Sequence, residues 1–160
     1  LDASIRYNHN GGRELLFRTG DNNTRMVILT NGFVGIGTSA PTNRLHVVGT
    51  VQATAYITAS DRNLKENVQP VSPEDILRKV EALPIATWTF IEESSGTHLG
   101  PMAQDFHAAF GLGNTDSGIA TVDADGVALA AIQALAAENR RLREELDDIK
   151  QRLGWPLQNP

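Results

Sequence analysis

The feature that most limits what this chain can fold into is a change of hydrophobic period at Ala59/Ser60. Before it, Leu45, Val47, Val51, Ala53, Ala55, Ile57 and Ala59 are apolar at odd positions while most even positions are polar, with Gly49 the one break. A period of two belongs to a strand with one face buried. After Ser60 the apolar residues recur at steps of three and four, the spacing of helices. The expectation is therefore an α+β chain in two parts: a β-rich segment over residues 1–59, then a small α+β segment over residues 60–160 that ends in a long helix.

Within the first part, Arg25 to Thr30 and Phe33 to Gly37 flank Asn31-Gly32, which predicts a hairpin closed by a type I′ turn, since that turn needs positive φ at both central residues. Residues 13–18 read as a further short strand. The segment is rich in Gly and Asn, its strands are short, and several inward positions are alanine or valine. So little apolar surface makes an independent core marginal. It reads as one share of a β structure built from several chains.

In the second part, Ser72-Pro73-Glu74-Asp75 combines a capping serine, a proline at the first helical position and acids in the first turn. Ile76, Leu77, Val80 and Leu83 then form an apolar stripe that Pro84 ends. Ile85 to Ile91 predicts a strand, and Met102, Phe106 and Phe110 mark a short helix closed by Gly111. A long helix is expected from Val127 to about Leu153. Along it Ile132, Leu135, Asn139, Leu142, Leu146, Ile149 and Leu153 alternate steps of three and four between charged flanks, a heptad seam suited to a coiled coil, the other reading of these three heptads being an amphipathic helix lying on its own domain. Asn139 on that seam costs stability and can fix register, but leucine and isoleucine occur at both seam classes and leave the number of helices open.

Composition removes several function classes. With 41% hydrophobic and 21% charged residues the chain is of the folded, globular kind, and a net charge of −5 without a basic run argues against nucleic acid or an anionic membrane as partner. There is no cysteine, which excludes a disulfide, a thiolate metal site and a thiol nucleophile. No apolar run approaches the roughly 20 residues that cross a bilayer, and the start lacks a signal-peptide pattern. Beginning at Leu1, the sequence is expected to be the C-terminal part of something longer.

Gly35-Ile36-Gly37-Thr38-Ser39-Ala40 matches a loose dinucleotide loop, but Pro41 and a strand follow it where a helix N-terminus is required. No cofactor is expected. Asp123-Ala124-Asp125-Gly126 begins like a calcium loop, lacks the closing glutamate, and reads as a turn capping the long helix. His9, His46, His98 and His107 are not spaced as metal ligands. Ser60 and Lys65 remain. A serine needs a base to take its proton, and a lysine can be that base only in its uncharged form; by spacing alone the pair is as readily a capping serine beside a solvated lysine.

The residues around that pair add to it. Ser60-Asp61-Arg62-Asn63-Leu64-Lys65-Glu66-Asn67-Val68, Leu83-Pro84, Leu99-Gly100-Pro101-Met102-Ala103-Gln104-Asp105, Thr121-Val122-Asp123 and the terminal heptads together resemble the endosialidase-type intramolecular chaperone domain over residues 59 to about 153. That domain ends phage tail spikes and fibres, related bacterial surface proteins and some eukaryotic membrane-bound transcription factors. Residues 32–38 and 45–53 are also similar to the fibre repeat that commonly precedes it.

The resemblance implies a homotrimer that templates folding of the upstream β fibre of its own chain. It then implies a single-turnover serine peptidase that cuts itself between Ala59 and Ser60, with Ser60 and Lys65 as the dyad and Asp61, Gly100 and Gln104 at supporting positions. Pro101 stands where the family often has an aromatic residue and Asp105 where glutamate is commoner. The implied setting is a phage virion tail or bacterial surface fibre, folded in the cytoplasm of the producing cell. Two other readings compete: a structural trimerisation tip without chemistry, and a receptor-binding fibre end acting through loops such as residues 92–98.

Overall fold

The computed structural model describes residues 3–9, 12–91 and 96–155. The fold is α+β, with two compact units. One holds residues 3–9 and 12–56 with residues 90, 91 and 96; the other holds residues 57–89 and 97–155.

The first unit is a five-stranded sheet in sequential order, β1 (Ala3–Tyr7), β2 (Leu15–Thr19), β3 (Asn23–Ile28), β4 (Val34–Ile36) and β5 (Leu45–Val47). The first four are antiparallel; β5 runs parallel to β4, with Val34 opposite Leu45 and Ile36 opposite Val47. A register shift between Phe17 and Arg18 marks a bulge in the β2–β3 pair, a device that bends and twists a strand. Leu16, Val27 and Gly35 stand opposite one another across the sheet and are buried, as is Pro41. Two large side chains, Leu16 and Val27, are all the aliphatic core this unit has among its described residues. The core is as small as its composition implies.

The β3–β4 hairpin forms, but its turn differs from the predicted type I′. Leu29 N donates to Phe33 O at 2.9 Å and Gly32 N to Leu29 O at 2.9 Å, so the loop has three residues, Thr30 to Gly32. Only Gly32 has positive φ, at 79°, while Asn31 uses its Oδ1 to accept from Phe33 N. A three-residue loop meets the strand twist with one left-handed residue instead of two. Gly35 is needed for a different reason. A Cβ there would lie 2.4 Å from the Thr38 carbonyl, because the short connection to β5 folds back over it. The Gly-Ile-Gly-Thr stretch is a packing device for a parallel strand joined by a short loop.

The predicted strand beyond Val47 is absent: residues 48–61 form no strand and every one is exposed, Ile57 at 96%. The alternating pattern is there, but a strand needs a neighbour for its N–H and C=O groups, and the described residues of one chain supply none. β1 was not apparent in the sequence, and the strand expected over residues 85–91 is the shorter β6 (Ala86–Trp88), paired with β7 (His98–Gly100), which was not foreseen. Residues 92–95 of the candidate receptor loop lie outside the described residues.

In the second unit α1 (Pro73–Ala82) begins as its cap predicts: Ser72 Oγ accepts from Asp75 N at 3.2 Å. α2 (Ala103–Phe110) ends at Gly111 in the left-handed conformation, φ 65°. α3 (Thr121–Arg152) starts six residues before the expected Val127. Asp123-Ala124-Asp125-Gly126 is thus the first turns of the helix and not a cap. Asp123 lies in the first turn, where the positive end of the helix dipole favours a carboxylate, and a single glycine costs only about 1 kcal/mol. α1 packs on α3 and touches α2. Val127, Ala130, Ala131 and Ala134 are buried on α3 and Phe106 on α2, with the Phe106 and Phe110 rings 4.8 Å apart. Such small side chains suit the close approach of a neighbouring helix.

Candidate functional site

Ser60 and Lys65 flank a single 3-10 turn, Arg62–Leu64, whose construction is entirely local. Asp61, extended at φ −61° and ψ 134°, caps it: its Oδ1 accepts from Asn63 N at 2.9 Å and from Asn63 Nδ2 at 3.1 Å. Leu64 N donates to Asp61 O and Lys65 N to Arg62 O, both at 3.1 Å. Lys65 then leaves the turn extended, at φ −119° and ψ 142°. A three-residue turn between two extended residues reverses the chain enough to bring its ends within side-chain reach. Lys65 Nζ lies 2.7 Å from Ser60 Oγ as a hydrogen-bond donor. Asn67 then takes positive φ, 53°, a conformation asparagine tolerates better than most residues.

The pair sits in water. Residues 48–72 are exposed throughout, and the 3-10 turn packs against no helix or strand of its own unit among the described residues. Ala59, whose carbonyl precedes Ser60, is equally exposed. Of the other expected site residues, Gly100 ends β7 opposite Ala86, and a Cβ there would meet nothing within 4 Å, so packing within this chain does not require glycine. Gln104 lies in the first turn of α2 and is exposed. The structure thus brings Ser60, Lys65 and Asp61 together and leaves Gly100 and Gln104 on elements that the turn does not touch. Asn63, which ties Asp61 to the turn through both its amides, was missed as a site residue. The Asp-x-Asn spacing of an Asx turn was the available signal.

Residues 60–111 match the family model Peptidase_S74, described as the chaperone of endosialidase. Over these residues, about a third of the chain, it is similar to that family. No curated protein matches the chain. The matched segment begins at Ser60 itself and closes at Gly111, the residue that caps α2, so it contains the Ser60–Lys65 turn, α1, the β6–β7 pair and α2. The β unit and α3 lie outside the match.

Beyond the matched segment, the large apolar residues of α3 at heptad spacing are exposed. Ile132, Leu135, Leu142, Leu146, Ile149 and Leu153 are all exposed, and residues 138–149 are exposed without interruption. Asn139 Nδ2 donates to Leu135 O of its own helix at 3.1 Å. Among the described residues there is no cluster of metal-ligating side chains and no helix long and apolar enough to cross a membrane.

Proposed function

We propose that the chain is an intramolecular chaperone that assembles as a homotrimer, templates folding of the β fibre upstream of Ser60, and then frees itself by cutting the Ala59–Ser60 bond. The observation that carries the chemistry is the 2.7 Å contact between Lys65 Nζ and Ser60 Oγ at the first residue of the chaperone segment. Ser60 Oγ attacks the Ala59 carbonyl carbon while its proton passes to uncharged Lys65. The tetrahedral oxyanion collapses with rupture of the Ala59–Ser60 C–N bond, Lys65 returns the proton to the departing amine of Ser60, and water hydrolyses the remaining ester to give two chains. Nucleophile and carbonyl belong to adjacent residues, so the proximity term, several kcal/mol, is present from the start.

In the single chain both dyad residues are exposed, and no described element of their own unit excludes water from them. Assembly is therefore the step that switches the reaction on, by burying Lys65 and by bringing donors such as Gln104 toward the oxyanion. The exposed α3 seam and the unpaired alternating segment before Ser60 support the same order of events, since both offer apolar surface that a single chain leaves uncovered.

The test is to express the whole chain, establish that it is a trimer, and weigh its products with time. Wild type should yield fragments ending at Ala59 and starting at Ser60, and Ser60→Ala and Lys65→Ala should stay whole. An assembled wild-type trimer that remains intact on prolonged incubation would instead leave a structural trimerisation tip.

A further inference from the structure

The dyad contact depends on two residues that take no part in the proposed chemistry. Extended, the five peptide steps from Ser60 to Lys65 would hold the two Cα atoms roughly 16 Å apart, well beyond what a lysine and a serine side chain can bridge to hydrogen-bonding distance. Ordering a long lysine side chain in water also costs up to about 2 kcal/mol of rotamer entropy, and no packing from a described element of its own unit offsets it. What remains is the turn, and the turn is held at one point by side chains: the Asp61 carboxylate, which accepts both Asn63 amides. The backbone bonds that complete it are those of a single isolated 3-10 turn, a conformation with weak cohesion of its own.

We infer that Asp61 and Asn63 are positioning residues that assemble the Ser60–Lys65 contact within the unassembled chain, so that assembly supplies the environment of the dyad and not its geometry. The inference rests on the self-cleavage reading for its kinetic consequence, and on the turn alone for its structural one. Asp61 acts here as a hydrogen-bond acceptor. Its charge is incidental to the role, and that separates the proposal from an electrostatic effect of a carboxylate on the neighbouring lysine.

The experiment compares Asp61→Ala, Asp61→Asn and Asn63→Ala in the full chain, each first shown to assemble like wild type. Asp61→Ala should slow cleavage about 100-fold, the scale of a misplacement near 1 Å. Asp61→Asn keeps an acceptor oxygen without the charge and should recover most of the rate, and Asn63→Ala, which retains its backbone amide, should fall between. Cleavage by Asp61→Ala at the wild-type rate would overturn the proposal, as would an Asp61→Asn rate as low as that of Asp61→Ala, since charge would then be what matters. If wild type does not cut, the self-cleavage reading fails and the positioning claim is judged by proton NMR. Nuclear Overhauser contacts between Lys65 Hε and Ser60 Hβ should be present in wild type and Asp61→Asn and absent in Asp61→Ala; their persistence in Asp61→Ala refutes it.

Discussion

Two faces of α3 invert the usual relation between size and burial. One face carries Ala130, Ala131 and Ala134, and it is covered, Ala134 to 4% exposure. The other carries Ile132, Leu135, Leu142, Leu146, Ile149 and Leu153, and it is open, Ile132 at 59%. At about 100° per residue the two stripes are adjacent and not opposite, so the helix uses its small residues within the chain and holds its large ones beside them. Small residues suit a short helix that must come close; large ones at heptad spacing suit a like partner. The contrast teaches that intrachain packing completes only one of the two surfaces the sequence encodes. Residues 138–149 are exposed throughout, and within the chain their helical form rests on continuity with the covered turns and on ion pairs along the helix such as Arg141–Glu145 and Arg152–Asp148.

The largest effect should come from the open face. Burial of a leucine side chain contributes about 1.5–3 kcal/mol, so Leu142→Gln with Leu146→Gln should remove several kcal/mol per chain from association and leave monomers at micromolar concentration by analytical ultracentrifugation. Helicity of the last turns should fall with it. Retention of the same oligomer would mean that the seam is an ordinary solvated face, and that self-association must arise elsewhere.

The covered face predicts a smaller change of another kind. Ala134→Leu adds volume where α1 packs, beside Leu77 in the same groove, and should destabilise the helical unit by about 1–3 kcal/mol through overpacking while the oligomer is kept. Thermal unfolding and sedimentation on the same sample separate the two outcomes. Ser72→Ala, which removes the acceptor for Asp75 N at the start of α1, should cost about 1 kcal/mol in the same assay.

How much of this was legible in the sequence varies with the range of the interaction that decides it. α1 was readable nearly to the residue, because Ser72, Pro73 and Pro84 fix its ends through local chemistry. The closure of α2 at Gly111 was readable for the same reason. Strand pairing was not: β1 and β7 have no periodic signature of their own, and they exist because β2 and β6 offer them hydrogen-bonding edges. The opposite error came from residues 51–59, where a strong alternation met no edge to pair with. At the candidate site, the Ser60–Lys65 contact followed from sequence spacing only with its family context, whereas the cap that makes it, Asp61 with Asn63, required the turn to be seen. The surroundings of the dyad were beyond both, since Gly100 and Gln104 sit on elements that the turn does not touch.

The smallest predicted effect bears on where the α3 comparison begins. Read as a cap, Asp123-Ala124-Asp125-Gly126 would need Gly126 for its backbone freedom, and Gly126→Ala would destabilise. In the structure Gly126 lies inside the helix, its φ is not positive, and an added Cβ would meet nothing within 4 Å. Alanine there should therefore relieve the entropy cost of a helical glycine and stabilise the helical unit by about 0.5–1 kcal/mol. The sign of the change distinguishes the two helix starts. A rise in the unfolding midpoint places the start of α3 at Thr121, ahead of both faces, so that Val127 and the alanines are mid-helix packing residues. A fall would return the start to Val127, and the covered face would then begin within a frayed first turn, too loosely held to define how α1 is seated.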